Sequence, residues 1–120
     1  MIYGVGIDLL EISRVSRLLQ NDAFMRRVYT EGEREYIASK GRAAAASAAA
    51  IFCAKEAVSK ALGRGLEIPL RDIEVAHRDA GAPYVVLHGA TAEKYAGLVF
   101  NLSLTHTSET AGAFVTAERL

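Results

Sequence analysis

Glu56 and Lys60 stand four residues apart in the stretch FCAKEAVSKAL, residues 52–62, so on a helix they lie one turn above each other on the same face. Lys55 sits beside them, while Ile51, Ala54, Val58, Ala61 and Leu62 follow the apolar spacing of another face. Alone, Glu56 and Lys60 read as a surface ion pair worth about 0.3 to 0.5 kcal/mol. Far upstream, Asp8 closes a strand-like run in which Tyr3, Val5 and Ile7 alternate with Gly4, Gly6 and Asp8. Glycine in a strand marks close approach by another backbone or a ligand. A helix lying along that bare track would bring its own acid beside Asp8. Two such carboxylates offer the oxygen ligands Mg2+ takes, with positions left for water and a substrate phosphate. Lys55, Lys60 and Arg64 could then neutralise a pyrophosphate. The competing role for Asp8 is a helix cap: Asp8 and Glu11 have capping-box spacing ahead of Ile12, Val15, Leu18 and Leu19, an arrangement worth roughly 1 kcal/mol.

Those groups need elements to hold them. Residues 2–8 read as the first strand and residues 43–62 as a long central helix, whose leading turns are the alanine run 43–50, which places small side chains on the outer helix surface. Gly63 and Gly65, followed by Pro69, end that helix. Thr30 and Glu33 form a second capping box, opening a short helix through about Ile37. Residues 72–77 and 83–87 predict a hairpin around the turn-like RDAGA, and 90–96 a short helix. Residues 98–106 and 110–117 predict a second strand pair, with Asn101, Ser103 and Thr105 on one face and Leu102, Leu104 and His106 on the other. His77 and His88 read as structural or exposed. Arg14 and Arg17, with Arg26 and Arg27 behind them, make either a solvated basic face or a docking surface for an acidic protein.

A chain of 120 residues is expected to form a single domain, 1–120, in which a subunit interface could supply much of the burial. Lys+Arg and Asp+Glu both number 14, so no general nucleic-acid or membrane footprint is expected. The one cysteine, Cys53, excludes an internal disulfide, and no apolar run is long enough to span a bilayer. The expectation is a soluble cytoplasmic protein. No Walker P-loop, kinase glycine loop, Rossmann fingerprint or G-x-S-x-G elbow occurs.

Three stretches, GIDLLEISR at 6–14, FCAKEAVSKAL at 52–62 and SLTHT at 103–107, with GAPY at 81–84, together resemble the holo-acyl-carrier-protein synthase family, the small bacterial 4'-phosphopantetheinyl transferases. The resemblance covers nearly the whole chain. It implies an α+β fold with an antiparallel sheet packed against a long central helix, and homotrimers with active sites at subunit boundaries. It implies coenzyme A as donor and a serine of apo acyl carrier protein as acceptor, in support of fatty acid biosynthesis. By position in the motifs, Asp8 and Glu56 would hold Mg2+, and Lys60 would assist in neutralising phosphate. Lys55, Gly65 and His106 would belong to the coenzyme-binding region, and Arg14 and Arg17 would receive the carrier. The serine proton would pass to Glu56 or to a metal-bound water. Many family members carry arginine where this chain has Ile51, which removes one expected coenzyme contact. The larger surfactin-type transferases resemble two fused copies of this unit and do not fit the length. A noncatalytic module for acidic helices, or a metal-dependent phosphohydrolase, would explain only part of the pattern.

Overall fold

The structure is a computed structural model describing residues 1–63 and 67–120. Strand β1, Ile2–Glu11, is followed by the single-turn helix α1, Ile12–Ser16, then α2, Asp22–Val28, α3, Glu31–Ala38, and the long α4, Ala44–Ala61. A hairpin of β2, Ile73–His77, and β3, Pro83–Leu87, leads through α5, Gly89–Lys94, to β4, Leu98–His106, and β5, Thr110–Arg119. β5 lies between β1 and β4 in an antiparallel sheet, and β2 and β3 form a separate two-stranded sheet. The expected α+β arrangement is present: α4 packs across one face of the three-stranded sheet, chiefly over β1 and β5.

Side-chain size explains how close that packing is. On β5, Ala111, Ala113, Val115 and Ala117 face the helix and are buried, while Phe114 points the other way and is exposed. On β1, a Cβ at Gly6 would overlap the Ala57 carbonyl oxygen, and one at Gly4 would overlap that of Ala61. The bare track therefore is the seat of the helix. Two expectations about α4 are corrected. It is buried on most of its circumference, and the alanine run lies inside: Ala48, Ala49 and Ala50 are buried, and the Ala48 carbonyl accepts a hydrogen bond from Tyr29 Oη at 2.8 Å.

The local signals fare unequally. Thr30 and Glu33 make the full capping box of α3, and Gly63, at φ +75°, follows the last turn of α4. The expected cap at Asp8 is absent, because β1 continues to Glu11 and α1 begins after it with no side-chain cap. The amphipathic run that starts at Ile12 breaks after one turn, and a separate helix, α2, begins where Asn21 accepts from the Phe24 N–H at 3.0 Å. Among the described residues no helix is long and apolar enough to cross a membrane.

Candidate active site

Because the helix carbonyls of Ala57 and Ala61 rest on Gly6 and Gly4, the residues flanking them in α4 are carried to the end of the glycine track. Asp8 stands there, opposite Ala113 of β5. Lys60 reaches across from α4: its Nζ is 3.1 Å from Asp8 Oδ1 and donates to the Ile7 carbonyl at 2.9 Å. Glu56 lies in the same group. Its pKa is raised, first by burial and then by the Asp8 carboxylate, with Lys60 pulling it back down. Two acids thus face one cation at the junction of a strand and a helix.

Cys53, one turn before Glu56, completes the cluster. The thiol is fully buried, lies 3.5 Å from the Ala111 carbonyl, and is pushed up to about 12 by burial, by the charge of Asp8 with a hydrogen bond to it, and by Glu56. It stays protonated at neutral pH and serves as a donor. Nothing in its local sequence distinguished it from a packed core thiol.

The donor set suits Mg2+. Asp8 and Glu56 could offer hard carboxylate oxygens, and their mutual repulsion is what a bound cation would relieve. Among the described residues no three His, Cys, Asp or Glu side chains gather in a metal-binding group.

Lys55 does not join this group. It projects about 100° around the helix from Glu56, is fully buried, and places Nζ 2.7 Å from Glu33 Oε1 while also donating to the carbonyls of Leu70 and Ile73. Burial lowers its pKa and the Glu33 carboxylate opposes that shift. A coenzyme contact by its ammonium would require breaking this arrangement. Gly65 and Arg64 lie outside the described residues.

His106 belongs to a second region. It lines a cleft of about 350 Å³ with Tyr36, Ser47, Ile51, His77 and Thr105. Tyr36 and His77 stack there with centroids 3.9 Å apart and planes within 5°, and His106 Nδ1 is 3.1 Å from the Thr107 carbonyl. Neither Tyr36 nor His77 was signalled by its local sequence, since they meet only when the hairpin folds onto α3. The α4 residues of this cleft are centred roughly 130° around the helix and about 14 Å along it from Glu56 and Lys60. Ile51, at 1% exposed, forms part of the wall. Arg14 on α1 and Arg17 at its end are exposed, as are Arg26 and Arg27, of which Arg26 is held by Asp22 at 2.9 Å.

Comparison with known proteins gives a consistent result. A family model described as the 4'-phosphopantetheinyl transferase superfamily matches residues 4–110. The holo-[acyl-carrier-protein] synthase of Treponema denticola is 43% identical, the match covering 98% of this chain and 99% of that protein. That of Myxococcus xanthus is 44% identical over 95% and 93% of the two chains. Among solved structures, the Bacillus anthracis holo-(acyl-carrier-protein) synthase in complex with CoA (3',5'-ADP) superposes with a TM-score of 0.85 at 37% identity, covering 100% of this chain and 99% of that one.

Proposed function

The chain belongs to the 4'-phosphopantetheinyl transferase superfamily, and on that premise we propose how its residues carry out the reaction. It transfers 4'-phosphopantetheine from coenzyme A to a serine of apo acyl carrier protein, the conversion that its relatives' name denotes and that serves fatty acid biosynthesis. The serine oxygen forms a bond to the β-phosphorus, the bond from that phosphorus to the bridging oxygen breaks, and adenosine 3',5'-bisphosphate leaves with the electron pair.

The observation that carries the residue assignment is the meeting of Asp8, Glu56 and Lys60 at the glycine track. Asp8 and Glu56 would hold Mg2+, which would neutralise charge on the pyrophosphate. Lys60, whose side chain is 51% exposed, orients the same group and stabilises the charge that builds on the leaving oxygen. Glu56 is the carboxylate of this chain placed to take the serine proton. Arg14 and Arg17 form the exposed basic face that meets the acidic carrier.

Homotrimeric assembly, which the family resemblance implies, has two features in its support. The sheet face turned away from α4 exposes Tyr3, Val5, Ile7, Leu9, Val99 and Phe114, a patch of the kind that marks an interface. The His106 cleft and the carboxylate pair also lie on different sides of α4. A boundary between protomers brings one of each together. The setting is the cytoplasm, where coenzyme A and carrier are both at hand.

Intact-mass spectrometry of apo acyl carrier protein incubated with this protein, coenzyme A and Mg2+ tests the reading. A phosphopantetheine-sized mass gain, abolished by a chelator and slowed at low carrier concentration by Arg14→Glu, is expected. No gain on several competent carriers would overturn the transferase assignment, and a gain untouched by the chelator would overturn the metal assignment.

A further inference from the structure

Lys55 and Glu33 are each 0% exposed at the side chain, and each of their polar atoms has a partner. The ammonium has three protons and three acceptors: Glu33 Oε1 and the carbonyls of Leu70 and Ile73. The carboxylate accepts from the Thr30 N–H at 2.9 Å through Oε1 and from the Val75 N–H at 2.7 Å through Oε2. From Thr30 the network continues outward, with Oγ1 donating to Glu74 Oε2 at 2.8 Å and Glu74 Oε1 lying 2.7 Å from His88 Nε2. One pair of charges therefore ties α4 to the N-terminus of α3, to β2 and to the turn before it.

An apolar side chain at position 55 would also fill this space, but it would tolerate sliding and rotation. An ammonium saturated in three fixed directions tolerates neither. Glu56 is the next residue of the same helical turn, and its partner Asp8 stands on β1, outside the network. A small rotation of α4 would thus move Glu56 relative to Asp8 while leaving the core filled. Ala54, Ala57 and Ala61, which face the sheet, offer no large side chain to oppose such a rotation, so the polar contacts of Lys60 with β1 and of Lys55 with Glu33 have to oppose it.

We propose that the buried Glu33–Lys55 pair is a positioning device for the active site, fixing the rotation of α4 so that Glu56 is presented to Asp8. This rests on the reading of Asp8 and Glu56 as the metal-binding pair. Lys55 acts through Glu56 and touches no substrate.

The test compares the full chain with the double variant Glu33→Gln/Lys55→Met, which removes both charges at similar volume, with each single variant, and with Asp8→Asn and Glu56→Gln as controls. Melting is followed as a function of Mg2+, which reads metal binding without turnover, and transfer kinetics are measured alongside. The single variants melt lower because each leaves a lone buried charge. The double variant is expected to regain most of the melting temperature, yet to lose about 10- to 100-fold in kcat and to need correspondingly more Mg2+ for its melting shift. Recovered melting together with parental kcat and Mg2+ response would overturn the proposal and leave the pair as packing. Should the double variant melt below the assay temperature, Glu33→Asp decides. It keeps the charge and retracts the carboxylate, so a weakened Mg2+ response supports positioning and an unchanged one overturns it. If Asp8→Asn and Glu56→Gln keep the parental Mg2+ response, the metal reading itself fails, an outcome separate from failure of the Glu33–Lys55 variants alone.

Discussion

Asp8 has to satisfy a cation, a thiol and a second acid at once. Lys60 and Cys53 meet the first two demands, and Glu56 is left with its proton affinity raised. Function and stability therefore pull apart at this residue. A carboxyl whose folded pKa lies above its unfolded value binds protons more tightly in the folded state. Its stabilising contribution is complete below the unfolded value, ordinarily 4.5 for Glu, and is lost as pH rises through the folded value. Glu56→Gln is thus expected to melt higher than the parent at neutral pH without metal, with the gap closing as pH falls toward 4.5, while its turnover drops by about 100-fold or more. Calorimetry across pH beside the mass-gain assay checks both. A lower melting temperature at neutral pH would contradict the crowding of the two acids. Glu56 and Lys60 were legible as a four-residue spacing on one helix and Asp8 as the end of a glycine track, whose bareness pointed to the helix that meets it from far along the chain. Lys55 was not. Its partner Glu33 announced itself only as a capping residue, and the pairing of the two is a tertiary fact with no signature in either stretch.

At the scale of elements, the strand-to-helix contact sets the site. Gly6 and Gly63 separate the two uses of glycine. Gly63 supplies a left-handed turn, so Gly63→Ala should cost roughly 1 kcal/mol. Gly6 supplies room, and a methyl there meets backbone that no rotamer change can move. Gly6→Ala is expected to cost about 3 kcal/mol or more and to depress turnover further than Gly63→Ala at matched stability, since it lifts α4 from β1. Urea titration and kinetics together would show it, and equal costs at the two positions would refute the close-approach argument. The same contact explains which element boundaries were readable. Alternation gave β3 and β4 their limits, and the Thr30 box gave α3 its start. Asp8 reads locally as a cap, yet pairing with β5 extends β1 to Glu11, because ladder hydrogen bonds outweigh a single side-chain cap. The alanine run looked like outer surface, whereas small side chains are what a helix needs when backbones on one side and Tyr29 on another approach it closely.

At the scale of the molecule, the sheet has one dressed face and one bare one. α4 covers the first. Leu9, 70% exposed, stands on the second beside Phe114 and Ile7, and burying such residues stabilises by about 25 cal/mol per Å². On the trimeric reading, Leu9→Glu is expected to leave the protein monomeric in sedimentation and to remove most activity, though the side chain lies outside the Asp8 group. An active monomer would sink the boundary-site reading. This face was only half legible: the alternation in β1 was plain, but which side a second copy would cover depends on where the helix settles. The separation of the His106 cleft from the carboxylate pair has one more consequence. If neither half works alone, catalytic competence is subject to mass action, so that specific activity falls on dilution through the dissociation range, and synthesis of the protein raises its output more steeply than its copy number.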